Sequence, residues 1–124
     1  MLTLDNRILD YNTICEKIKI DKKIRFAGVI NERGKLVAGG MKEGIEPLES
    51  AKDDDMIFME LALRVKMRKE FDRQLGPVNF ATALREKGLA MSFPIKHDDI
   101  LYVFAEPDSN YAKLPSKIIK IIQE

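Results

Sequence analysis

The chain lacks tryptophan and has a single cysteine and a single histidine. One cysteine cannot form a disulfide within the chain, which is typical of a reducing compartment, so we expect a cytoplasmic location. Cys15 and His97 are together too few for a zinc site, which needs three or four such ligands. The sequence therefore predicts no disulfide, no metal centre and no cofactor.

Excess charge of one sign is also missing, because 21 basic residues face 20 acidic ones and the formal net charge is +1. Nucleic-acid-binding domains usually carry a clear basic excess, so this class is disfavoured. No apolar run is long enough to span a bilayer. The first ten residues include Asp5, Arg7 and Asp10, where a secretory signal would need an apolar core. We expect no nucleic-acid and no membrane partner.

What remains is the composition of an ordinary globular protein, with 45% apolar and 33% charged residues. A length of 124 residues suffices for one packed core but not for two. We expect a single domain over residues 1–124.

Periodicity and turn residues predict the order α-β-β-α-β-β-β-α. Gly34 supplies the positive φ for a hairpin turn, and Gly76-Pro77 ends a long central helix. This order predicts an α+β fold with a single five-stranded antiparallel sheet and helices on both faces. The expected elements are Asp5–Lys19 (helix), Ile24–Ile30 and Lys35–Met41 (strands), Asp53–Leu75 (helix opened by three aspartates), Val78–Arg85, Leu89–Ile95 and Ile100–Ala105 (strands), and a last helix from near Pro115.

The central helix is more apolar than a helix on a sheet requires, since one apolar stripe suffices for that contact. Residues at every fourth position supply such a stripe: Met59, Leu63, Met67, Phe71 and Leu75. A second apolar set remains and needs a cover, either from a terminal helix of the same chain or from a second subunit. In a symmetric dimer, the interface candidates are Ile57, Phe58, Leu61, Arg64, Val65 and Arg68.

Signals for catalysis are weak. Gly34-Lys35 is followed by leucine, so the segment is not a phosphate-binding loop, and the other glycines do not form a dinucleotide fingerprint. A polar turn explains His97 with its neighbouring aspartates, and a buried, inert thiol explains Cys15. We therefore expect a protein that is not an enzyme.

The run FAGVINERGKLVAGG and the helix MIFMELALRVKM, in this element order, resemble the roadblock/LC7 fold and its profilin and longin relatives. The sequence over nearly the whole chain, including the segment LREKGLAMSFPI, is similar to a family of short archaeal proteins, chiefly thaumarchaeal, with no established function. The roadblock resemblance implies a homodimer joined through the long helix and the strand after it. It also implies a scaffold or regulator of small GTPases and motors.

Two functional hypotheses follow. The leading one is a non-catalytic dimeric module that acts through protein contacts, with a small GTPase or signalling partner by analogy. The alternative is a small-molecule sensing domain of PAS or GAF type, which would need a ligand cavity between sheet and helix.

Overall fold

The computed structural model describes residues 6–124 and, for Asn6, the backbone alone. Within these residues, four helices and five strands follow in the expected order, except that a 3-10 turn divides the predicted central helix into α2 and α3. A second 3-10 turn lies between β4 and β5. The bounds are α1 Asn6–Ile18, β1 Ile24–Ile30, β2 Leu36–Met41, α2 Ala51–Arg68, α3 Asp72–Leu75, β3 Ala81–Arg85, β4 Gly88–Pro94, β5 Ile100–Ala105 and α4 Leu114–Ile122.

The five strands form one antiparallel sheet in the order β2-β1-β5-β4-β3. The first hairpin and the β4–β5 hairpin therefore pair through β1 and β5 at the centre, where Ala27 lies opposite Val103. β2 and β3 are the two edges. The predicted α+β fold with helices on both faces of one sheet is confirmed.

The hairpin turn is built as its sequence predicts. The Asn31 side chain accepts hydrogen bonds from the backbone N–H groups of Arg33 and Lys35, and Gly34 has a φ of 77°. A Cβ on Gly34 would lie 2.8 Å from the Cα of Met59, so this turn touches the backbone of α2. Glycine here allows both the turn and the close approach of the helix.

Alternation along the strands divides the core into two layers. On one face, α1 and α4 cover a large cluster that includes Val29, Leu89, Met91 and Val103. On the other face, α2 covers a smaller cluster built around aromatic side chains.

The central helix differs from the prediction at its start. Ser50, not the aspartate run, caps it, because the Ser50 hydroxyl accepts a hydrogen bond from the Asp53 backbone N–H at 3.1 Å. The helix therefore begins at Ala51, two residues before the predicted start at Asp53. It reaches Leu75 only through a 3-10 turn, Lys69–Phe71, and the short α3, and Gly76 ends it with a φ of 83° as expected.

The remaining differences are at the ends of elements, since α1 ends at Ile18 rather than Lys19 and β2 begins at Leu36 rather than Lys35. β3 begins at Ala81 rather than Val78. β4 is Gly88–Pro94 rather than Leu89–Ile95, so it lies one residue closer to the N-terminus than predicted. Ile24–Ile30 and Ile100–Ala105 have the predicted bounds. Asp5, the predicted start of the first helix, lies outside the described residues.

Candidate protein interface

One side of α2 packs on the sheet. Phe58 and Val65 are only 6% and 4% exposed and lie with Ala62 against the α2 face of the sheet. The Phe58 ring centroid is 5.8 Å from that of Phe26 and 6.1 Å from that of Tyr102, within the range of favourable aromatic contacts. Apolar burial on this side therefore holds the helix to its own sheet.

The opposite side of α2 carries a second apolar set in solvent. We call it the outer stripe: Met56, Met59, Leu63, Met67, Phe71 and Leu75, which are between 58% and 81% exposed. The spacing of three or four residues aligns Met56, Met59, Leu63 and Met67 along one line of α2. Phe71 and Leu75 follow in the 3-10 turn and in α3. Methionine is flexible and polarisable, and it suits surfaces that adapt to a partner.

The prediction that Met59 and every fourth residue after it pack on the sheet is wrong. The helix is rotated so that the other set, Phe58 and Val65 with half-buried Ile57 and Leu61, faces the sheet. The sheet offers Phe26, Tyr102 and Phe104, and the Phe58 ring joins these aromatic rings.

This orientation of the helix changes which residues can contact a partner. Ile57, Phe58, Leu61 and Val65 are covered wholly or partly by their own sheet, so they offer little or no surface to a partner. Arg64 is exposed and Arg68 half-buried. The expected apolar excess is present, but it is located on the outer stripe.

Charged residues flank the outer stripe. The Arg64 guanidinium donates from Nε to Glu60 Oε1 at 3.2 Å, one helical turn away. Both side chains are largely exposed, so the pair adds little to folding stability. It is available to make charged contacts at the rim of an interface.

The edge strand β3 offers a second open surface. It pairs only with β4, and four of its five residues are exposed. Ala83 lies opposite Ala90, which lies opposite Phe104, so these alanines belong to the face that α2 covers. Small side chains at this edge leave room for another helix beside α2, and the unpaired backbone can accept another strand.

A pair of carboxyl groups lies at the start of α2. Burial, and then the neighbouring Glu49 carboxylate, raise the pKa of Asp54 to about 6. Burial, followed by Glu49, likewise raises the pKa of Tyr102 to about 12. The cavity beside them, between α2 and the sheet, has a volume of about 20 Å³, which is enough for a single water molecule.

The groups considered for catalysis do not form a site. Cys15 is fully buried, as predicted, and burial raises its thiol pKa to about 11, which disfavours the nucleophilic thiolate. His97 is exposed with a φ of 63° in the β4–β5 turn, where Asp98 pairs with Lys69 at 2.6 Å. Among residues 6–124, no three His, Cys, Asp or Glu side chains cluster closely enough to hold a metal ion.

One buried polar contact had no signal in the sequence. The Tyr11 hydroxyl donates to Asp99 Oδ2 at 2.9 Å and so joins α1 to the β4–β5 turn. Tyr11 has the helical spacing of an apolar residue of α1, and only tertiary structure brings residues 88 positions apart into contact. Within the described part of the chain, no helix has the length and apolarity needed to cross a membrane.

Solved structures with the same fold confirm the predicted scaffold. MglB of Myxococcus xanthus superposes with a TM-score of 0.73 at 11% identity, covering 99% of this chain and 90% of that one. The gliding protein MglB of Thermus thermophilus gives 0.72 at 12% identity, with coverages of 99% and 96%. A roadblock/LC7 domain of Streptomyces avermitilis gives 0.68 at 11% identity, with coverages of 90% and 91%.

These likenesses show the fold, since the identities are too low to carry an activity across. No curated protein matches the chain in sequence. A sequence profile does match residues 4–124, nearly the whole length. The chain therefore belongs to the family of unknown function DUF6659, and its fold is that of roadblock/LC7 domains.

Proposed function

We propose that the protein is a non-catalytic regulatory or scaffold module that acts as a homodimer, with the outer stripe of α2 and the edge of β3 as the dimer interface. The single observation that carries the proposal is the outer stripe. A run of six large apolar side chains in solvent is the kind of patch that marks a protein contact. From Met56 to Leu75 it extends over roughly 30 Å along α2, the 3-10 turn and α3.

A second copy fits this surface better than an unrelated partner. In a two-fold contact, the outer stripe of one copy would pack against the outer stripe of the other, and the two helices would be antiparallel. Glu60 on one copy would approach Arg64 on the other, because the two charges lie on neighbouring turns beside the stripe. The free edge of β3 would pair with β3 of the second copy. Antiparallel pairing of two identical strands is compatible with the same two-fold axis.

The known structures support the proposal at the level of the fold. One similar structure is described as MglB with a tetrameric arrangement, and it covers 99% of this chain at a TM-score of 0.70. By the same analogy, a small GTPase or signalling protein is the partner class that we propose for the dimer.

The dimer is tested by light scattering on purified protein. Leu63→Glu places a charge in the outer stripe, so we expect the wild type to be a dimer and this variant a monomer. Leu48→Glu is the matched control, because Leu48 is 53% exposed but lies outside the stripe, in the segment before α2. A wild type that stays monomeric over a wide concentration range contradicts the dimer.

The partner is tested separately by biosensor binding of Ras-like GTPases loaded with GDP or a GTP analogue. The proposal expects binding that depends on the nucleotide and is lost when Leu63→Glu breaks the dimer. Equal binding to both nucleotide states would contradict a regulatory contact of this kind.

The alternative, a small-molecule sensor, is favoured by one observation. A cleft of about 510 Å³ lies between α1, the end of α4 and the β4–β5 turn, with Tyr11, Lys96 and His97 on its wall. That volume is within the range of ligand sites. Val29 and Leu101 of the sheet also line this cleft, so it lies between sheet and helices, where this alternative expects its ligand. A thermal-shift screen of metabolites, with stabilisation that Lys96→Ala removes, would support this alternative over the leading proposal.

A further inference from the structure

A second cleft, of about 540 Å³, lies on the sheet face opposite α2, between the end of α1 with the turn after it and α4. We call it the lysine cleft. Its floor is apolar and consists of buried core residues, Ile18, Ile24, Leu114 and Ile118. The two isoleucines on its walls, Ile20 and Ile121, are 79% exposed and half-buried, respectively.

Lysines surround this floor. Lys17 on α1, Lys22 and Lys23 in the turn, and Lys117 on α4 all line the cleft, whereas Asp21 is its one acidic wall residue. The lining residues therefore sum to a charge of +3, from four lysines and one aspartate, although Lys17, Lys23 and Lys117 are paired with carboxylates of the same chain. A surface of this charge attracts carboxylates and repels basic partners.

The contacts of these lysines with their own chain are of a kind that a ligand can replace. Lys17 pairs with Glu124 at 3.0 Å and Lys23 pairs with Asp108, and both lysines are about half exposed. Such pairs contribute little to stability, so exchanging them for partner carboxylates costs little. Asp21 is already engaged, since it accepts hydrogen bonds from the Lys23 backbone N–H and the Lys117 ammonium.

We propose that the lysine cleft binds an acidic amphipathic helix of a partner protein. Apolar residues of that helix would pack between Ile20 and Ile121, and its carboxylates would reach lysines on both rims. α4 has nine residues, or roughly 14 Å, so the cleft accommodates about two to three turns of a docked helix.

Charge and shape favour this occupant over lipid. The basic side chains come from three separate segments around the cleft, so a ligand must present several carboxylates, whereas a fatty acid carries one. The floor residues are at most 7% exposed, whereas Ile20 at the rim is 79% exposed, so a flat bilayer surface would meet the rim first. A helix with an acidic face and an apolar face satisfies both parts of the cleft.

The inference does not require the dimer, because the lysine cleft and the outer stripe lie on opposite faces of the sheet. A monomeric wild type would overturn the proposed dimer and leave the cleft intact. Conversely, Leu63→Glu is expected to bind the same peptide as well as the wild type.

The test uses fluorescence anisotropy with a panel of labelled twelve-residue peptides that carry leucine at helical spacing and glutamate elsewhere. We expect binding by at least one peptide with an affinity on the order of 10 µM. Scrambled peptides of the same composition and peptides with lysine in place of glutamate should not bind. Amide shifts in NMR spectra should concentrate at Ile20, Lys22 and Ile121.

Two variants and a control locate the site. Lys22→Glu and Ile20→Ser change exposed side chains, so both should fold, and each should weaken peptide binding by roughly fivefold to tenfold. Lys87→Glu makes the same charge reversal in the distant β3–β4 turn and should change the affinity less than about twofold.

Several results would overturn the inference. These are no binding by any acidic peptide of the panel at about 1 mM, equal loss of affinity in Lys22→Glu and Lys87→Glu, or amide shifts located on the outer stripe. Binding of phosphatidylglycerol vesicles or laurate in the cleft, without peptide binding, would show that the ligand is a lipid. That result would also overturn the inference of an acidic helix.

Discussion

The two sides of helix α2 have nearly the same chemistry and opposite surroundings. The inner side presents Phe58, Ala62 and Val65 to an aromatic layer of the sheet, and the outer side presents methionines, leucines and a phenylalanine to solvent. Hydrophobicity alone cannot distinguish the sides. Complementarity of shape does, because the Phe58 ring fits among Phe26 and Tyr102. The difference teaches that the fold uses only one side of a doubly apolar helix, which leaves the other side to the partner that we propose.

The largest expected effect is on the inner side. Phe58→Ala removes a buried ring and should lower the free energy of unfolding by about 3–5 kcal/mol in urea unfolding. The matched outer change is Phe71→Ala, since Phe71 is exposed. Its effect should depend on protein concentration, because it acts through the dimer. Equal, concentration-independent losses in both variants would remove the distinction between the two sides.

A smaller effect is expected where the hairpin turn touches α2. Gly34→Ala should cost about 2 kcal/mol, because the new Cβ meets the Met59 backbone at 2.8 Å and the φ of 77° disfavours alanine. Gly44 is the matched control: its φ is 81°, but its Cβ would meet nothing within 4 Å. Gly44→Ala should cost only the roughly 1 kcal/mol of backbone strain. Equal costs, measured by urea unfolding, would mean that the turn does not restrain the helix.

The cap of α2 comes next in size. Ser50→Ala removes the hydroxyl that accepts the Asp53 N–H and should lower the free energy of unfolding by about 1 kcal/mol. Ser50→Asp, which keeps an acceptor, should restore most of the loss in the same thermal or urea unfolding experiment. If Ser50→Ala is neutral, the aspartate run caps the helix as the sequence first indicated.

The smallest effect depends on pH. The pKa of Asp54 is raised above its ordinary 3.8 to about 6, so the folded state holds this proton more tightly than the unfolded state does. The resulting stabilisation is present below pH 3.8 and is lost as the pH rises through 6. Relative to Asp54→Asn, the wild type should therefore lose stability between pH 4 and pH 7.

The measurement is the urea midpoint of both proteins across that range. Asp55→Asn, one position further along the same turn and exposed, is the control for the general effect of removing a charge near the start of the helix. A midpoint difference between wild type and Asp54→Asn that does not change with pH would contradict the raised pKa.

Local patterns predicted most of the fold. Alternation in the strands and glycine at turns placed β1, β5 and the hairpin between β1 and β2 correctly, because backbone geometry decides these features within a few residues. The rotation of α2 could not be predicted, since both stripes have helical spacing and only the distant residues Phe26 and Tyr102 choose between them. The Ser50 cap was missed because three aspartates offered an equally good local signal.

The apolar side chains expected for a partner were predicted on the side of the helix that packs on its own sheet. The excess of apolar residues on the central helix is visible in the sequence, but the exposed residues are Met59, Leu63 and Met67 rather than Phe58 and Val65. The lysine cleft could not be predicted as a site, because Lys17 and Lys117 are 100 positions apart and meet only in the folded chain.

The central claim, that a second copy packs on the outer side of α2, is tested most directly by cysteine cross-linking. Met59→Cys, Leu63→Cys and Met67→Cys introduce thiols on the outer stripe, and Val65→Cys introduces one on the inner side. The native Cys15 is buried and provides the background in the wild type. The account predicts disulfide-linked dimers from at least one outer variant under mild oxidation and monomer from Val65→Cys. Monomer from all three outer variants, or a linked dimer from Val65→Cys, would contradict it.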